Sequence, residues 1–266
     1  MSSLVMALSD GAVVAKRNLI KIKRIPEILI WTTMSPIMFV VLFAYVFGSS
    51  IEIPGMSYRE YLIAGVFAQT VVFGSTFTGA GLAEDMTKGI IDRFRSLPMA
   101  RSAVLVGRTG SDIVYNAISL FVMTATGLIV GWRIRTGVPD AIVGFVVLLL
   151  FAYAISWIMA FVGLKVSSVE VVNNASFMVI FPMTFIANTF VDASRLPGPL
   201  QTIAEWNPVS AVAQAAREAF GNTGTIPEPT VWSLDHPVAY TLIWVALILI
   251  VFVPLTVRSY NRAATK

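Results

Sequence analysis

The sequence predicts an all-α membrane protein with six transmembrane helices and cytoplasmic N and C termini. Hydrophobic residues make up 56% of the chain and charged residues 13%, and the mean hydropathy is +0.78. A soluble domain usually carries about 25% charged residues, so most of this chain is expected to face lipid or other membrane helices. Apolar stretches close to the roughly 20 residues needed to cross a bilayer recur six times. There is no cysteine, which excludes disulfides, thiolate metal sites and cysteine nucleophiles.

The chain divides into an arm, one membrane domain and a tail. We predict an interfacial arm over residues 1–25, a transmembrane domain over 26–257 and a cytoplasmic tail over 258–266. The six spans are predicted at about 28–47, 61–82, 104–130, 141–164, 171–190 and 239–257. The end of the second span is rich in Gly, Ser and Thr, which favours close helix packing over the alternative of a substrate-lining face.

The basic residues are distributed unevenly between the two sides of the membrane. With the termini in the cytoplasm, 14 of the 19 Lys and Arg residues fall on the cytoplasmic side. Cytoplasmic loops of membrane proteins carry such an excess, so this bias sets the orientation. It also accounts for the net charge of +4 without any nucleic-acid partner. The sequence therefore predicts a multi-pass protein of the bacterial inner membrane.

A short charged segment, residues 84–98, separates the second and third spans on the cytoplasmic side. Glu84 and Asp85 begin it and Arg93 and Arg95 lie near its end, where each charge suits the dipole of a helix. Pro98 is expected to end the helix. The apolar members at helical spacing are Met86, Ile90, Ile91, Phe94 and Leu97. We predict a short amphipathic helix at the membrane surface, with a solvated connecting loop as the alternative.

A second short helix is predicted within the external segment 191–237. Asn207 is a good N-cap, Pro208 suits the first helical position, and Gly221 or Asn222 can end the helix. The helix is too short and polar to span a membrane. It is predicted to lie on the surface or to enter the membrane from one side without crossing it.

Motifs for catalysis are absent from the sequence. There is no GxxxxGK[ST] phosphate loop, no HExxH and no GxSxG, so an enzyme is not expected. Asp112 is the one credible carboxylate within a span, and an ion-coupled carrier usually has more. A structural role for Asp112 near the membrane interface, beside Arg108, is favoured.

The combination of these features resembles the membrane subunit of bacterial ABC-2 type exporters, the daunorubicin-resistance-type permeases in particular. The resemblance rests on the six-span layout with a basic arm, on EDMTKGIIDRFRSLPM from Glu84 to Met99 followed by Gly107 and Arg108, and on NPVSAVAQAAREAFG from Asn207 to Gly221. It covers nearly the whole chain.

The resemblance implies partners that the chain itself does not contain. In that family the segment matching 84–98 is a coupling helix that docks into a separate ATPase subunit. The coupling residues so implied are Glu84, Asp85, Gly89, Ile90, Arg93, Phe94, Arg95, Leu97 and Pro98. Two permease chains, identical or sister subunits, pair with two ATPases that bind Mg-ATP, and the permease itself carries no cofactor or metal. The matching extracytoplasmic helix caps the pathway and includes Asn207, Pro208, Arg217 and Glu218.

The resemblance also implies a pathway lined mainly by the second and fifth spans. Aromatic residues of those spans are then candidates for contact with a hydrophobic drug, namely Phe67, Phe73, Phe77, Phe177, Phe181 and Phe185. The alternative is that they pack against helices or face membrane lipid. Export of a lipid, glycolipid or polysaccharide precursor, a non-transporting assembly protein and an ion-coupled carrier are the other functions left open.

Overall fold

The computed structural model describes residues 3–24, 26–48, 51–95, 99–100, 102–166, 168–227 and 229–263. Within these residues the fold is built from helices, as predicted, and no strand is present. The N-terminal half contains α1 (Ser3–Arg24), α2 (Pro26–Leu42) with a π-helical turn (Phe43–Phe47), α3 (Tyr58–Gly74), α4 (Thr76–Thr87) and α5 (Ile90–Arg95). The remainder contains α6 (Ala103–Val130), α7 (Val138–Lys165), α8 (Val169–Phe185), α9 (Gly198–Glu205), α10 (Pro208–Phe220), α11 (Trp232–Asp235) and α12 (Pro237–Ala263).

Four stretches of the described chain are long and apolar enough to cross a membrane. They are Tyr58–Thr87, which joins α3 and α4, and Ala103–Val130, Val138–Lys165 and Pro237–Arg262. The predicted first and fifth spans coincide with two shorter apolar helices, Thr33–Phe47 and Val169–Phe185. The helix predicted over 171–190 ends at Phe185. At 1.5 Å per residue, the 17 residues of α8 cover only about 26 Å.

The predicted second span is interrupted at Ser75, where α3 ends and α4 begins. The Ser75 hydroxyl donates to the carbonyl oxygen of Val71 at 2.7 Å and lies 2.9 Å from that of Ala152 on α7. Beyond the break α4 packs closely on α7, because a β-carbon at Gly79 would lie 2.7 Å from the carbonyl oxygen of Met159 and one at Gly163 would overlap the backbone of Gly79. The small residues at this end of the span therefore allow close helix packing, which was the favoured interpretation of the sequence.

The core lies around α3, which is buried along almost its whole length. Helix α10 packs against α3, α7 and α12. Its residues Val209 to Ala213 are fully buried. The surface-helix alternative is therefore wrong for α10, since this short helix is enclosed by longer apolar ones.

Candidate coupling site and membrane cavity

The segment predicted as one amphipathic helix is divided by a tight turn. Glu84 and Asp85 belong to the last turn of α4, and α5 carries Ile90, Arg93, Phe94 and, as its final residue, Arg95. Gly89 joins the two helices with φ of +64°, a left-handed conformation that glycine adopts without the steric cost of a β-carbon. The expectation of an unbroken helix from Glu84 is thus corrected at Gly89. Leu97 and Pro98 lie outside the described residues.

Helix α5 is held against the protein by apolar side chains, chiefly that of Ile91. Ile91 is 1% exposed and belongs to a cluster with Leu82, Leu105, Trp157 and Tyr260. Met86 and Phe94 are partly buried against the same cluster. The apolar side predicted for this segment therefore faces the helices of its own chain at Ile91, whereas Arg93 is exposed.

The N-terminal helix α1 contacts the chain on both sides of α5. The Arg17 guanidinium donates to Asp85 Oδ2 at 3.0 Å and lies 4.9 Å from the ring centroid of Phe94. On the far side of α5, the backbone N–H of Ala100 donates to Asp10 Oδ2 at 3.0 Å. Helix α1 also packs tightly on α6, and a β-carbon at Gly107 would overlap the carbonyl oxygen of Gly11. A displacement of α5 would thus also move the contacts that it shares with α1 and α4, and through α1 those with α6.

The outer surface of this region is charged. Lys88 Nζ lies 2.6 Å from Glu84 Oε1, one helical turn away, and both groups are solvent-accessible. The hydrogen bond to Glu84 raises the pKa of Lys88. Together with exposed Arg93, these side chains form a polar rim beside the buried anchor of α5. Such a rim suits a protein partner that recognises charge at the membrane surface.

A cavity of about 470 Å³ opens between α2, α3, α4, α6 and α8. Its aromatic lining consists of Phe39, Phe73, Phe77, Tyr115, Phe177 and Phe181. Its polar lining consists of Ser35, Gln69, Thr70, Thr76, Asn116 and Ser119. The cavity therefore combines flat apolar surfaces with hydrogen-bonding groups, a composition typical of small-molecule sites.

Four of the six phenylalanines proposed from sequence line this cavity, namely Phe73, Phe77, Phe177 and Phe181. Phe185 does not, but its ring stacks on that of Phe181 with the centroids 4.1 Å apart. Phe67 lies elsewhere, fully buried against Trp132 and Phe220. Phe67 is thus a core residue, and its assignment to the pathway is corrected.

Two buried polar atoms of the cavity residues have no hydrogen-bond partner within the described chain. They are Thr70 Oγ1 on α3 and Asn116 Oδ1 on α6. The Asn116 amide nitrogen is used, since it donates to the carbonyl oxygen of Asp112 at 3.0 Å. Asp112 itself is buried within α6, and its Oδ2 has no partner among the described residues. An unmatched polar group in an apolar setting is costly, so Thr70 Oγ1 and Asn116 Oδ1 favour a cavity ligand that can hydrogen-bond.

The residues of α10 that the sequence singled out serve mainly to hold this helix in place. Asn207 caps the helix by accepting from the Val209 N–H at 2.9 Å, and its amide donates to the carbonyl oxygen of Met183 at 2.7 Å. Pro208 occupies the first turn and Gly221 ends the helix with φ of +70°. Glu218 is exposed and accepts from Gln214 at 3.0 Å.

Arg217 is fully buried, which the sequence did not indicate. Its guanidinium lies 3.6 Å from the ring centroid of Tyr61 and donates to the carbonyl oxygens of Tyr61, Asn188 and Thr189 at 3.2, 2.5 and 3.2 Å. Gly65 allows this arrangement, because any β-carbon there would overlap the backbone of Thr189. Arg217 thereby joins α10 to α3 and to the chain that follows α8.

Sequence reasoning missed Arg17, Thr70 and Asn116. Arg17 is one of five basic residues in the arm, and nothing in the sequence distinguishes it from Lys16. Thr70 and Asn116 are two of several polar residues in largely apolar spans. The polarity of Asn116 within a span is the one signal that could have identified it.

The fold and these sites define the class of protein. The chain is a multi-pass helical membrane protein with an amphiphilic cavity between its helices and a separate charged surface held by α1, α4 and α5. Residues 11–220 match the family model described as "ABC-2 type transporter".

Known permeases resemble this chain over most of its length. It is 33% identical over 246 residues to the daunorubicin resistance ABC transporter permease protein DrrB1 of Streptomyces coeruleorubidus, covering 92% of this chain and 84% of the relative. It is 27% identical to the probable doxorubicin resistance ABC transporter permease protein DrrC of Mycobacterium tuberculosis, over 86% of this chain and 80% of the relative. The inner membrane transport permease YadH of Escherichia coli is 21% identical over 80% of this chain and 85% of the relative.

The chain therefore belongs to the ABC-2 type transporter family and is a membrane-spanning permease. This confirms the resemblance noted in the sequence and the predicted location as a multi-pass protein of the bacterial inner membrane. The family consists of transport subunits that are not themselves enzymes.

Proposed function

We propose that this permease exports an aromatic amphiphile, in the manner of a drug-efflux protein, using ATP hydrolysed by a separate ABC ATPase. The observation that carries the proposal is the cavity of about 470 Å³. It is lined by six aromatic rings and by Thr70 and Asn116, each of which has a polar atom without a partner among the described residues. Two relatives are named for resistance to daunorubicin and doxorubicin, and both drugs combine flat rings with hydroxyl groups.

Coupling is proposed to act through α5 and its contacts. Two permease chains assemble with two ATPases that bind Mg-ATP, and each ATPase docks on the rim formed by Glu84, Lys88 and Arg93. Movement of α5 then reaches α1 through Arg17 and α4 through the Gly89 turn. Because α4 and α6 both line the cavity, this movement changes its shape.

The membrane arrangement proposed for this mechanism has six spans with cytoplasmic termini. Helices α2 and α8 then serve as the first and fifth spans, assisted by the π-helical turn after α2 and by the chain that follows α8. The excess of basic residues on the side of the termini supports this orientation. The cavity is open to the bilayer at Phe177, which is 55% exposed, and an amphiphile can enter there.

Transport by the reconstituted complex tests the proposal. The permease and the ATPase encoded beside it are placed in proteoliposomes, and ATP-dependent daunorubicin movement is followed by fluorescence. Phe177→Ala and Asn116→Leu should reduce transport, whereas Phe121→Ala, which removes a lipid-facing ring outside the cavity, should not. Equal effects of all three substitutions would contradict a role for the cavity. ATP-dependent movement of phospholipid but not of daunorubicin would identify the permease as a lipid exporter instead.

A further inference from the structure

A second cavity lies outside the membrane cavity and shares no lining residue with it. It has a volume of about 540 Å³ and is formed within residues 188–234, by the chain after α8, by α9 and α10, and by the loop that precedes α11. In the proposed orientation this segment faces outward. The cavity is therefore placed where an exported compound would leave the protein.

The lining of this external cavity is acidic. Asp192, Glu205 and Glu218 contribute carboxylates, and Arg217 is the one basic residue of the lining. Two glutamines orient the glutamates, as Gln201 donates to Glu205 Oε1 at 2.8 Å on α9 and Gln214 donates to Glu218 Oε1 at 3.0 Å on α10. Each glutamate keeps a second oxygen, Oε2, that accepts no hydrogen bond within the described chain. The negative excess favours a cation.

Two buried atoms of the lining residues favour a ligand that also carries a hydrogen-bonding group. Arg217 Nη1 is a donor and Asn188 Oδ1 is an acceptor, and neither has a partner among the described residues. Both residues are at least 97% buried. A hydroxyl group can accept from one and donate to the other.

A metal ion does not fit this arrangement. Within the described residues, no group of three or more Asp, Glu, His or Cys side chains is close enough to hold one. The carboxylates instead lie around a space large enough for part of an organic molecule.

We propose that the external cavity binds a protonated amine that also carries hydroxyl groups, and that it receives this polar end of the exported compound. This binding role rests on the proposed export function. In it the amine contacts Glu205 and Glu218, and a hydroxyl group contacts Asn188 and Arg217.

A binding measurement tests the cavity without requiring transport. D-glucosamine carries a protonated amine and hydroxyl groups, and N-acetyl-D-glucosamine is its neutral counterpart. Calorimetry on the purified permease should show tighter binding of D-glucosamine. In a Glu205→Gln/Glu218→Gln variant this preference should fall by about two- to fivefold for each carboxylate removed. Glu52→Gln, which changes an exposed carboxylate outside this cavity, should leave it unchanged.

Transport separates this proposal from the one on which it rests. With the native complex, the KM for daunorubicin should lie below that for N-acetyldaunorubicin, and the double variant should raise only the former. An equal effect on both compounds, or no preference for D-glucosamine in the binding measurement, would overturn the amine site while leaving export intact. If the native complex moves neither drug but the permease still prefers D-glucosamine, the export proposal fails and the amine site stands.

Discussion

The guanidinium of Arg17 joins α1 to the end of α4, since it lies 3.0 Å from Asp85 Oδ2, and the same group covers the ring of Phe94 on α5. The Asp85 side chain is 10% exposed and that of Arg17 is 38% exposed. Arg17 therefore contacts both sides of the Gly89 turn, with an ion pair to Asp85 on α4 and a cation–π contact with Phe94 on α5. If α5 receives the movement of an ATPase, Arg17 is placed to pass it to α1.

We expect Arg17→Gln to reduce coupling more than stability. A partly exposed ion pair contributes only about 0.2–1 kcal/mol, and the cation–π contact about as much, so the fold should persist. ATP-driven transport should fall severalfold at unchanged permease yield. Lys16→Gln, which removes the neighbouring exposed charge, is the matched control. Additive effects of Arg17→Gln and Asp85→Asn in a double-mutant cycle would show that the ion pair is not used.

We expect Phe94→Asp to release the ATPase. The substitution removes an apolar ring from α5 and places a carboxylate at a partly buried position, so that an ionic contact can take the place of the cation–π contact with Arg17. Co-purification in detergent of the permease with the ATPase measures the effect directly. Thr87→Asp, at an exposed position of the preceding turn, serves as the control. Full retention of the ATPase by the Phe94 variant would remove α5 from the docking surface.

We expect Gly89→Ala and Gly110→Ala to have opposite effects on stability. At both positions a β-carbon would have open space within 4 Å, so steric overlap with neighbouring residues plays no part. Alanine at Gly89 must adopt φ near +64°, which costs about 1–2 kcal/mol. Alanine at Gly110, inside α6, should stabilise the helix by about 0.5–1 kcal/mol. Thermal unfolding of the two purified variants provides the comparison, and similar shifts in both would contradict a strained turn at Gly89.

We expect Arg217→Lys to be strongly destabilising although it preserves the charge. A lysine ammonium cannot reproduce the planar contact with Tyr61 or the fork that reaches three carbonyl oxygens. A buried carbonyl left without a donor costs about 1–3 kcal/mol, which applies to Thr189, whereas the carbonyl oxygen of Asn188 keeps the Tyr61 hydroxyl as a donor. Loss of folded protein on size-exclusion chromatography is the expected result. Arg133→Lys, at an exposed arginine, should be tolerated.

Local signals in the sequence located the elements whose limits depend on nearby residues. The third span was predicted at 104–130 and α6 covers Ala103–Val130. The limits of α10 follow from the Asn207 cap and the Gly221 turn, which act within a few residues. The break at Ser75 could not be predicted in this way, because it involves the carbonyl oxygen of Ala152, 77 positions along the chain.

The candidate sites also differ in how far they depend on residues that are distant in the sequence. The resemblance, which assigned the pathway to the second and fifth spans, included four residues of the membrane cavity, but it could not tell these from Phe67, which faces the core. The sequence placed Arg217 on the short helix before the last span and gave no sign of its burial. Its burial depends on Tyr61 and on the carbonyl groups of residues 188 and 189, which only folding brings together.

The sequence by itself determined that this is a helical membrane protein, because composition and apolar stretches are properties of contiguous residues, and two local motifs carried its resemblance to ABC-2 type permeases. It also located the charged segment near residues 84–95 and the capped helix before the last span. The tertiary structure alone decided that α5 is held through Arg17 and Ile91, that Thr70 and Asn116 share one cavity, and that Arg217 is buried. These relationships join residues far apart in the chain, and their contacts arise only when the helices pack.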